Sequence, residues 1–246
     1  MGFDDVKLYG EAHQDQQEAV ANDTNGPVGL SRRGKLHVAE HGKPAYGAAE
    51  QGQYFVATNP TAGTGIAGFA AADGINNLQN TLSVFNRNSA ASGKRIYLDF
   101  LTVMVTAAGA NGTDLAYVMH TDTVTRYTSG GSAITPVCTN ADAESESGAR
   151  IHFGALVSPA ASAQRLISGG VLRVVIGVVG DVYNFNFGGR GEASAQGIIN
   201  ATAPVVMNVG VPPVSIGPGD SFLWQTNATS QTAGISWEFQ LGYWVL

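Results

Sequence analysis

Two pairs of residues have the spacing of metal ligands. His37 and His41 are four residues apart, as on one turn of a helix, but the surrounding sequence has no helical pattern. His120 and Asp122 flank one residue at the end of a predicted strand, so both side chains point to the same face. A metal ion needs a larger ligand set than a pair, and none is clustered near either of these. We therefore interpret both pairs as ordinary polar positions.

A glycine-rich segment has the spacing of a nucleotide-binding loop. Gly63, Gly65 and Gly68 match G-x-G-x-x-G after a predicted strand. Dinucleotide binding also needs a helix that opens on these glycines and an acidic residue about 20 positions later for the ribose. The residues that follow suffice for a short stub of helix, and no acid occurs between Asp73 and Asp99. A loop that uses glycine at positive φ is the favoured interpretation.

Paired carboxylates are the remaining candidates for catalysis. Glu144 and Glu146 lie in a Ser/Asp/Glu-rich loop, whereas a glycosidase holds its two acids on rigid elements across a cleft. No G-x-S-x-G nucleophile elbow and no P-loop occurs in the sequence. We therefore expect no catalytic, cofactor-binding or metal-ligating residues and no cofactor, and predict that the protein is not an enzyme.

Composition excludes several other classes of protein. The 246 residues include 13 Lys or Arg and 19 Asp or Glu, for a net charge of −6, so we expect no nucleic-acid partner. The single cysteine, Cys138, excludes an internal disulfide framework. The most apolar run, 171–179, is interrupted by Arg173 and is shorter than the roughly 18 residues of a membrane span. With no secretion signal recognised, we expect a soluble protein without a membrane partner.

A change in charge density near residue 52 divides the chain. Residues 1–52 carry five Lys or Arg and eight Asp or Glu, with three aromatic residues and no sustained period. A short helix over 11–21 is possible there, but it lacks an apolar stripe. One interpretation is a loosely ordered tail; the other is an extended arm that becomes ordered against a partner. We predict an extended polar N-terminal arm over residues 1–52 and a β domain over 53–246.

Short apolar or alternating segments between Gly, Asn, Ser and Pro make up the second part, which is typical of all-β proteins. No long amphipathic helix interrupts them, so antiparallel sheets are favoured over βαβ units. We predict a two-sheet antiparallel sandwich or jelly roll. The predicted strands are 53–58, 81–86, 96–105, 115–120, 150–156, 171–179, 183–187, 205–209, 221–227 and 235–243.

Two features of the predicted strands allow more specific predictions. Ile96 and Leu98 have one parity, whereas Leu101 and Val103 have the other, which predicts a β-bulge near Phe100 or a strand buried on both faces. The last two predicted strands and the residue that follows them are rich in aromatic residues, which we expect in the core. Any of them that prove exposed suit a subunit interface. The aromatic residues in question are Trp224, Trp237, Phe239, Tyr243 and Trp244.

Several phrases, taken together, resemble a group of tailed-bacteriophage virion proteins that are similar to jelly-roll capsid decoration (cement) proteins. The resemblance covers roughly residues 46–246. The phrases are YFVATNP (54–60), GTGIA (63–67), GKRIYL (93–98), RIHFGAL (150–156), LRVVI (172–176), VVGD (178–181), GPGD (217–220) and EFQLGYW (238–244).

This resemblance implies a structural role on the outside of a phage head. It implies a homotrimer that binds across major capsid protein subunits, soluble in the host cytoplasm before assembly and located on the capsid exterior afterwards. It brings no catalytic motif. A head fibre, a tail component or a receptor-binding adhesin remains the alternative, followed by a carbohydrate-binding or carbohydrate-acting sandwich protein. The arm, in this view, grips neighbouring capsid subunits.

Overall fold

The computed structural model describes residues 29–30, 36–37, 44–70, 78–143, 146–160, 163–189 and 203–246. The chain divides into two compact units, Met1–Pro44 and Ala45–Leu246. The first contains a two-residue ribbon, in which β1 (Gly29–Leu30) pairs with β2 (Leu36–His37). A short helix, α1 (Pro44–Glu50), precedes the strands of the second unit. The predicted arm otherwise lies largely outside the described residues.

Fourteen strands form the second unit in its described part. Their order along the chain is β3 (Tyr54–Thr58), β4 (Ile66–Ala67), β5 (Gln79–Asn86), β6 (Ile96–Ala107), β7 (Thr113–Asp122), β8 (Ser129–Ile134), β9 (Val137–Cys138), β10 (Ala149–Val157), β11 (Arg165–Val175), β12 (Val182–Phe187), β13 (Val206–Val211), β14 (Ser215–Ile216), β15 (Ser221–Thr229) and β16 (Ser236–Val245). A 3-10 turn at Ala90–Ser92 connects β5 to β6. The predicted all-β class is confirmed.

The strands form two sheets with jelly-roll order. Strands β3, β16, β6 and β12 are neighbours in the eight-stranded sheet, and β5, β15, β7 and β11 are neighbours in the six-stranded sheet. Along the chain these eight strands alternate between the sheets at every step except from β7 to β11. That alternation is the arrangement of a double-sheet jelly roll. The predicted two-sheet sandwich is therefore confirmed.

Additional strands widen both sheets. Strands β10 and β8 extend the six-stranded sheet beyond β5, and they come from the connection between β7 and β11. In the eight-stranded sheet, β13 runs parallel to β12, whereas the other pairs of that sheet are antiparallel. These additions leave the eight-strand jelly-roll order intact.

Aromatic side chains from both sheets fill the space between them. Trp224 of β15 and Trp237 of β16 are fully buried and meet edge to face, with ring centroids 5.5 Å apart. Phe153 of β10 stacks on Phe239 of β16 at 4.1 Å. Burial of such large rings contributes strongly to the stability of a core. The prediction that Trp224, Trp237, Phe239 and Tyr243 belong to the core is confirmed.

The bulge predicted near Phe100 is present. Leu98 pairs with Tyr243, and Leu101 pairs with Leu241, so Asp99 and Phe100 together face Gly242. The extra residue keeps Ile96 and Leu98 on the same face as Leu101 and Val103 despite their different parity. Strand β6 therefore has one continuous apolar face.

One predicted strand has different bounds in the structure, and one strand of the six-stranded sheet was not predicted. The strand predicted at 171–179 instead runs from Arg165 to Val175. Its first half (RLISGG) pairs with β7 but was not predicted, because it is polar and glycine-rich. Strand β8 (SGGSAI) was not predicted, since it lacks the apolar alternation of a half-buried strand. It is held instead by backbone pairing to β10.

In the described part of the chain, no helix has the length and apolar character needed to cross a membrane.

Candidate functional site

Three aromatic side chains form a row on the outer face of the eight-stranded sheet. Tyr97 of β6, Trp244 of β16 and Tyr54 of β3 are direct cross-strand neighbours. Ring centroids are 6.0 Å apart for Tyr97 and Trp244, and 6.5 Å for Trp244 and Tyr54, with the planes within 19° of parallel. Their sequence neighbours Ile96 and Tyr243 point into the core, so the row must point outwards. We call these three residues the aromatic row.

The aromatic row is only partly covered. Tyr97 and Trp244 are half-buried, whereas Tyr54 is 9% exposed. Trp244 is thus the one tryptophan of three that is not enclosed between the sheets. Large aromatic side chains that retain exposure suit protein interfaces, where they contribute most of the binding energy.

The bulge in β6 supplies a carboxylate beside the row. The Tyr54 hydroxyl donates a hydrogen bond of 2.8 Å to Asp99 Oδ2. Burial, together with this hydrogen bond and the charge of Asp99, raises the pKa of Tyr54 well above its usual value. The phenol therefore stays protonated and keeps its donor aimed at Asp99.

Gly242 of β16 has no side chain, and the side chains of Phe100 and Tyr54 occupy the space that one would need. A Cβ at this position would overlap the Phe100 ring and would meet the Tyr54 hydroxyl at 2.5 Å. Phe100 is half-buried and lies next to the aromatic row, so it extends the aromatic surface across the strand. Glycine is required here by close approach and not by backbone conformation.

Polar side chains continue the same outer face towards the other end of the sheet. Thr102 of β6, Gln240 of β16 and Thr58 of β3 are cross-strand neighbours there. Thr102 donates a hydrogen bond of 2.9 Å to the Asn184 side chain on β12. Glu238 of β16, between the core residues Trp237 and Phe239, adds one carboxylate to this polar half. The face therefore combines an aromatic half with a polar half, the mixture typical of a protein-binding surface.

The polar pair at the end of β7, His120 and Asp122, includes a carboxylate with structural partners. Asp122 Oδ2 lies 3.3 Å from Arg126 Nη1, and its other oxygen accepts a hydrogen bond from the Ala163 amide at 3.2 Å. His120 lies on the same face of β7 as Asp122. Within the described ranges, no group of three or more His, Cys, Asp and Glu residues is placed to hold a metal ion.

The glycine-rich segment forms a loop and a short strand. Gly63 has φ +77°, and its amide donates a hydrogen bond to Glu238 Oε1. Ile66 and Ala67 form β4, which pairs with β16, instead of opening a helix. The favoured interpretation as a loop with glycine at positive φ is confirmed.

The other candidate residues do not come together as a site within the described part of the chain. His41 and Glu144 lie outside the described residues, and only the backbone of His37 is described. The Cys138 thiol is partly buried and donates to the Gly52 carbonyl oxygen at 3.5 Å.

A small polar cavity of about 150 Å³ opens at one end of the sandwich. It brings together Arg95 and Arg165 with Asp122 and Asp220. Asp220 accepts a hydrogen bond from the Gly217 amide, and Asp122 pairs with Arg126. Both carboxylates thus have structural partners, and the cavity combines equal numbers of opposite charges.

Sequence reasoning missed two features that shape these surfaces. Tyr97 lies between the core residues Ile96 and Leu98, so its outward direction follows from the alternation that predicted the strand. Arg126 is fully buried within the connection from β7 to β8, and no periodicity marks it. Only the assembled structure brings Arg126 to Asp122.

Comparison of the chain with family models, with curated proteins and with solved structures finds no match.

Proposed function

We propose that this protein is a structural protein of a phage virion, a capsid decoration protein that binds across major capsid protein subunits. The observation that carries the proposal is the aromatic row, in which Tyr97 and Trp244 are only half-buried, on a sheet whose other aromatic rings except the adjacent Phe100 are enclosed. The jelly-roll order supports it, since this architecture is frequent among viral capsid proteins. The resemblance over roughly residues 46–246 names the class of partner.

The outer face of the eight-stranded sheet suits attachment to a protein surface. Its aromatic half supplies apolar contact area, and Asp99 offers a carboxylate oxygen at the edge of that area. Rigid strands hold all three rings, so little conformational entropy is lost on binding. In a trimer the same contact would occur three times on one particle, and the linked contacts would raise the apparent affinity.

The test measures occupancy on capsids that lack this protein. Wild type and the Trp244→Ala variant are mixed with undecorated capsids, and bound protein is quantified after sedimentation. We expect Trp244→Ala to lose about 30-fold or more in affinity, because truncation of a hot-spot aromatic residue costs about 2 kcal/mol or more. Leu166→Ala is the matched control, since Leu166 is 65% exposed on β11 of the other sheet.

Either of two results would contradict this proposal. Equal occupancy for Trp244→Ala and wild type would exclude the aromatic row as the attachment surface. Failure of the wild-type protein to bind capsids would exclude the decoration role and would favour a fibre, tail or adhesin role. Electron microscopy of the intact particle then locates the protein.

Carbohydrate binding is a second candidate, favoured by one observation. Aromatic rings beside a carboxylate such as Asp99 are the groups that contact sugars through their apolar faces and hydroxyls. Titration with host-surface glycans, followed by tryptophan fluorescence, tests it. A response in wild type that Trp244→Ala lacks would support an adhesin over a decoration protein.

A further inference from the structure

Part of the outer face of the six-stranded sheet is covered by the connection from β7 to β8. We call residues 123–128 the strap. Ser221 Oγ donates to the Val124 carbonyl oxygen at 2.6 Å, and Ser158 Oγ donates to the Arg126 carbonyl oxygen at 2.7 Å. The ion pair from Arg126 to Asp122 adds a third attachment on the outward side of β7.

Two buried histidines lie at the ends of a cross-strand row beneath the strap. In that row His120 pairs with Leu223, Leu223 pairs with Ser83, and Ser83 pairs with His152. Trp224 and Leu82, the sequence neighbours of Leu223 and Ser83, point into the core, so the row points outwards. His120 is nevertheless only 8% exposed and His152 only 5%. The covering comes in part from Tyr127 of the strap, whose ring stacks on His152 with centroids 3.7 Å apart.

Both imidazoles are suited to the neutral state and not to the charged state. His120 Nδ1 and His152 Nδ1 are buried and have no hydrogen-bond partner within the described residues. A neutral ring tolerates one unprotonated nitrogen, whereas a protonated ring carries two N–H donors that both need acceptors. A buried donor without an acceptor costs its full desolvation.

The charged groups around the two rings are mainly cations. Arg126 of the strap faces His120, and the nearby Asp122 on the same strand is paired with that arginine. The cross-strand neighbours of His120 are Leu166 and Leu223, which are both apolar. Burial first, and Arg126 second, lower the pKa of His120.

His152 has a similar environment at the other end of the row. Arg150 is its charged neighbour, and burial followed by Arg150 lowers its pKa. The rings of Phe85, at 5.9 Å, and Tyr127 both stack on His152. The cross-strand neighbours of His152 are Ser83 and Ala133. The Tyr127 ring attracts a cation but offers Nδ1 no hydrogen-bond acceptor in this stacked arrangement.

We propose that the strap is an acid-released latch, closed over the six-stranded sheet while His120 and His152 are neutral and opened when both bind protons. Opening places both imidazolium groups in water and separates the imidazolium of His120 from the cation of Arg126. It also uncovers Leu223, which is fully buried when the latch is closed. This device is independent of the attachment surface proposed above, because the two lie on different sheets.

Hydrogen exchange measured by mass spectrometry tests the latch. Exchange of a peptide covering residues 122–130 is compared at about pH 7.5 and about pH 5, after correction for the intrinsic rates. We expect strap amides, including the Thr128 amide that donates to Val157, to lose protection by about tenfold or more at the lower pH. Peptides from β6 and β16 serve as the internal control and should keep their protection.

A double variant, His120→Gln with His152→Gln, should show no acid-dependent loss of strap protection. Unchanged strap protection in wild type would overturn the proposal, as would an acid-dependent loss that persists in the double variant. Loss of protection in β6 and β16 at the same pH would also overturn it, because that result indicates global unfolding. Titration of the imidazole C–H signals of the wild-type protein by NMR needs no variant, and a pKa at or above 6.5 for both rings contradicts the proposal.

Discussion

Arg173 Nη1 lies 2.5 Å from Asp181 Oδ1, and both side chains are fully buried. Arg173 belongs to β11 of the six-stranded sheet, and Asp181 directly precedes β12 of the eight-stranded sheet. Asp181 also accepts hydrogen bonds from the Val178 and Val205 amides and from the Tyr183 hydroxyl. The pair therefore fixes the point at which the chain crosses from one sheet to the other.

Asp181→Asn should destabilise the protein strongly. The substitution keeps the shape of the side chain but leaves Arg173 buried without its counter-charge, which costs about 3–5 kcal/mol. Urea denaturation measures the change in the free energy of unfolding. Asp114→Asn, at an exposed carboxylate, is the matched control and should stay within about 0.5 kcal/mol of wild type. Equal effects of the two substitutions would show that the buried pair has no special role.

Two tryptophans should differ in what they contribute. Trp237→Ala removes a fully buried ring from between the sheets and should cost about 3–5 kcal/mol of stability. Trp244→Ala removes a half-buried ring from the outer face and should cost clearly less. Thermal unfolding of the two variants gives the comparison, and a larger loss for Trp244→Ala would place that ring in a structural role.

Gly242→Ala should strain the outer face of the eight-stranded sheet. The added methyl group overlaps the Phe100 ring and crowds the Tyr54 hydroxyl, and overpacking of this kind typically costs about 1–3 kcal/mol. Phe100→Ala in the same chain should recover part of that loss by vacating the space. A double-mutant cycle by urea denaturation measures the coupling, and simple additivity of the two changes would contradict the contact.

Stability should fall when the pH drops below about 6.5. The pKa values of His120 and His152 are lowered in the folded protein, so the unfolded chain binds these protons more readily. Their contribution is complete above the unfolded pKa and is lost as the pH falls towards the lowered, folded values. Urea midpoints between about pH 5 and about pH 7.5 check this, with His120→Gln plus His152→Gln as the variant that should flatten the profile.

Removal of residues 1–45 should reduce binding to undecorated capsids, because the polar arm is predicted to contact the shell. The deletion keeps all strands from β3 onwards, so the β domain should retain its far-ultraviolet circular dichroism. Quantification of bound protein after sedimentation gives the occupancy, and unchanged occupancy would refute the arm model. Mass measurement of the same samples in solution tests the predicted trimer.

The elements with strict alternation were predictable from the sequence. The change of parity between Leu98 and Leu101 predicted the bulge near Phe100, because the period of two along a strand allows no other way to keep one apolar face. Strand β16 was predicted nearly as observed for the same reason, since its core face alternates from Trp237 to Tyr243.

Features that depend on distant residues were not predictable. Arg173 was noted only as an interruption of an apolar run, because nothing local shows that Asp181 will neutralise it. No local pattern marks His152, yet its ring stacks on both Phe85 of β5 and Tyr127 of the strap. Such contacts arise when strands far apart in the chain become neighbours, which sequence periodicity does not encode.

The position of β16 in its sheet has a consequence for the order of folding. Strand β16 lies between β3 and β6, which are synthesised far earlier. Neither of these two strands can pair with β16 until the ribosome has made residues 236–245. Contacts of such long sequence separation slow folding and leave strand edges exposed meanwhile. The eight-stranded sheet thus assembles only after synthesis of its other strands, and chaperone protection would matter most during that interval.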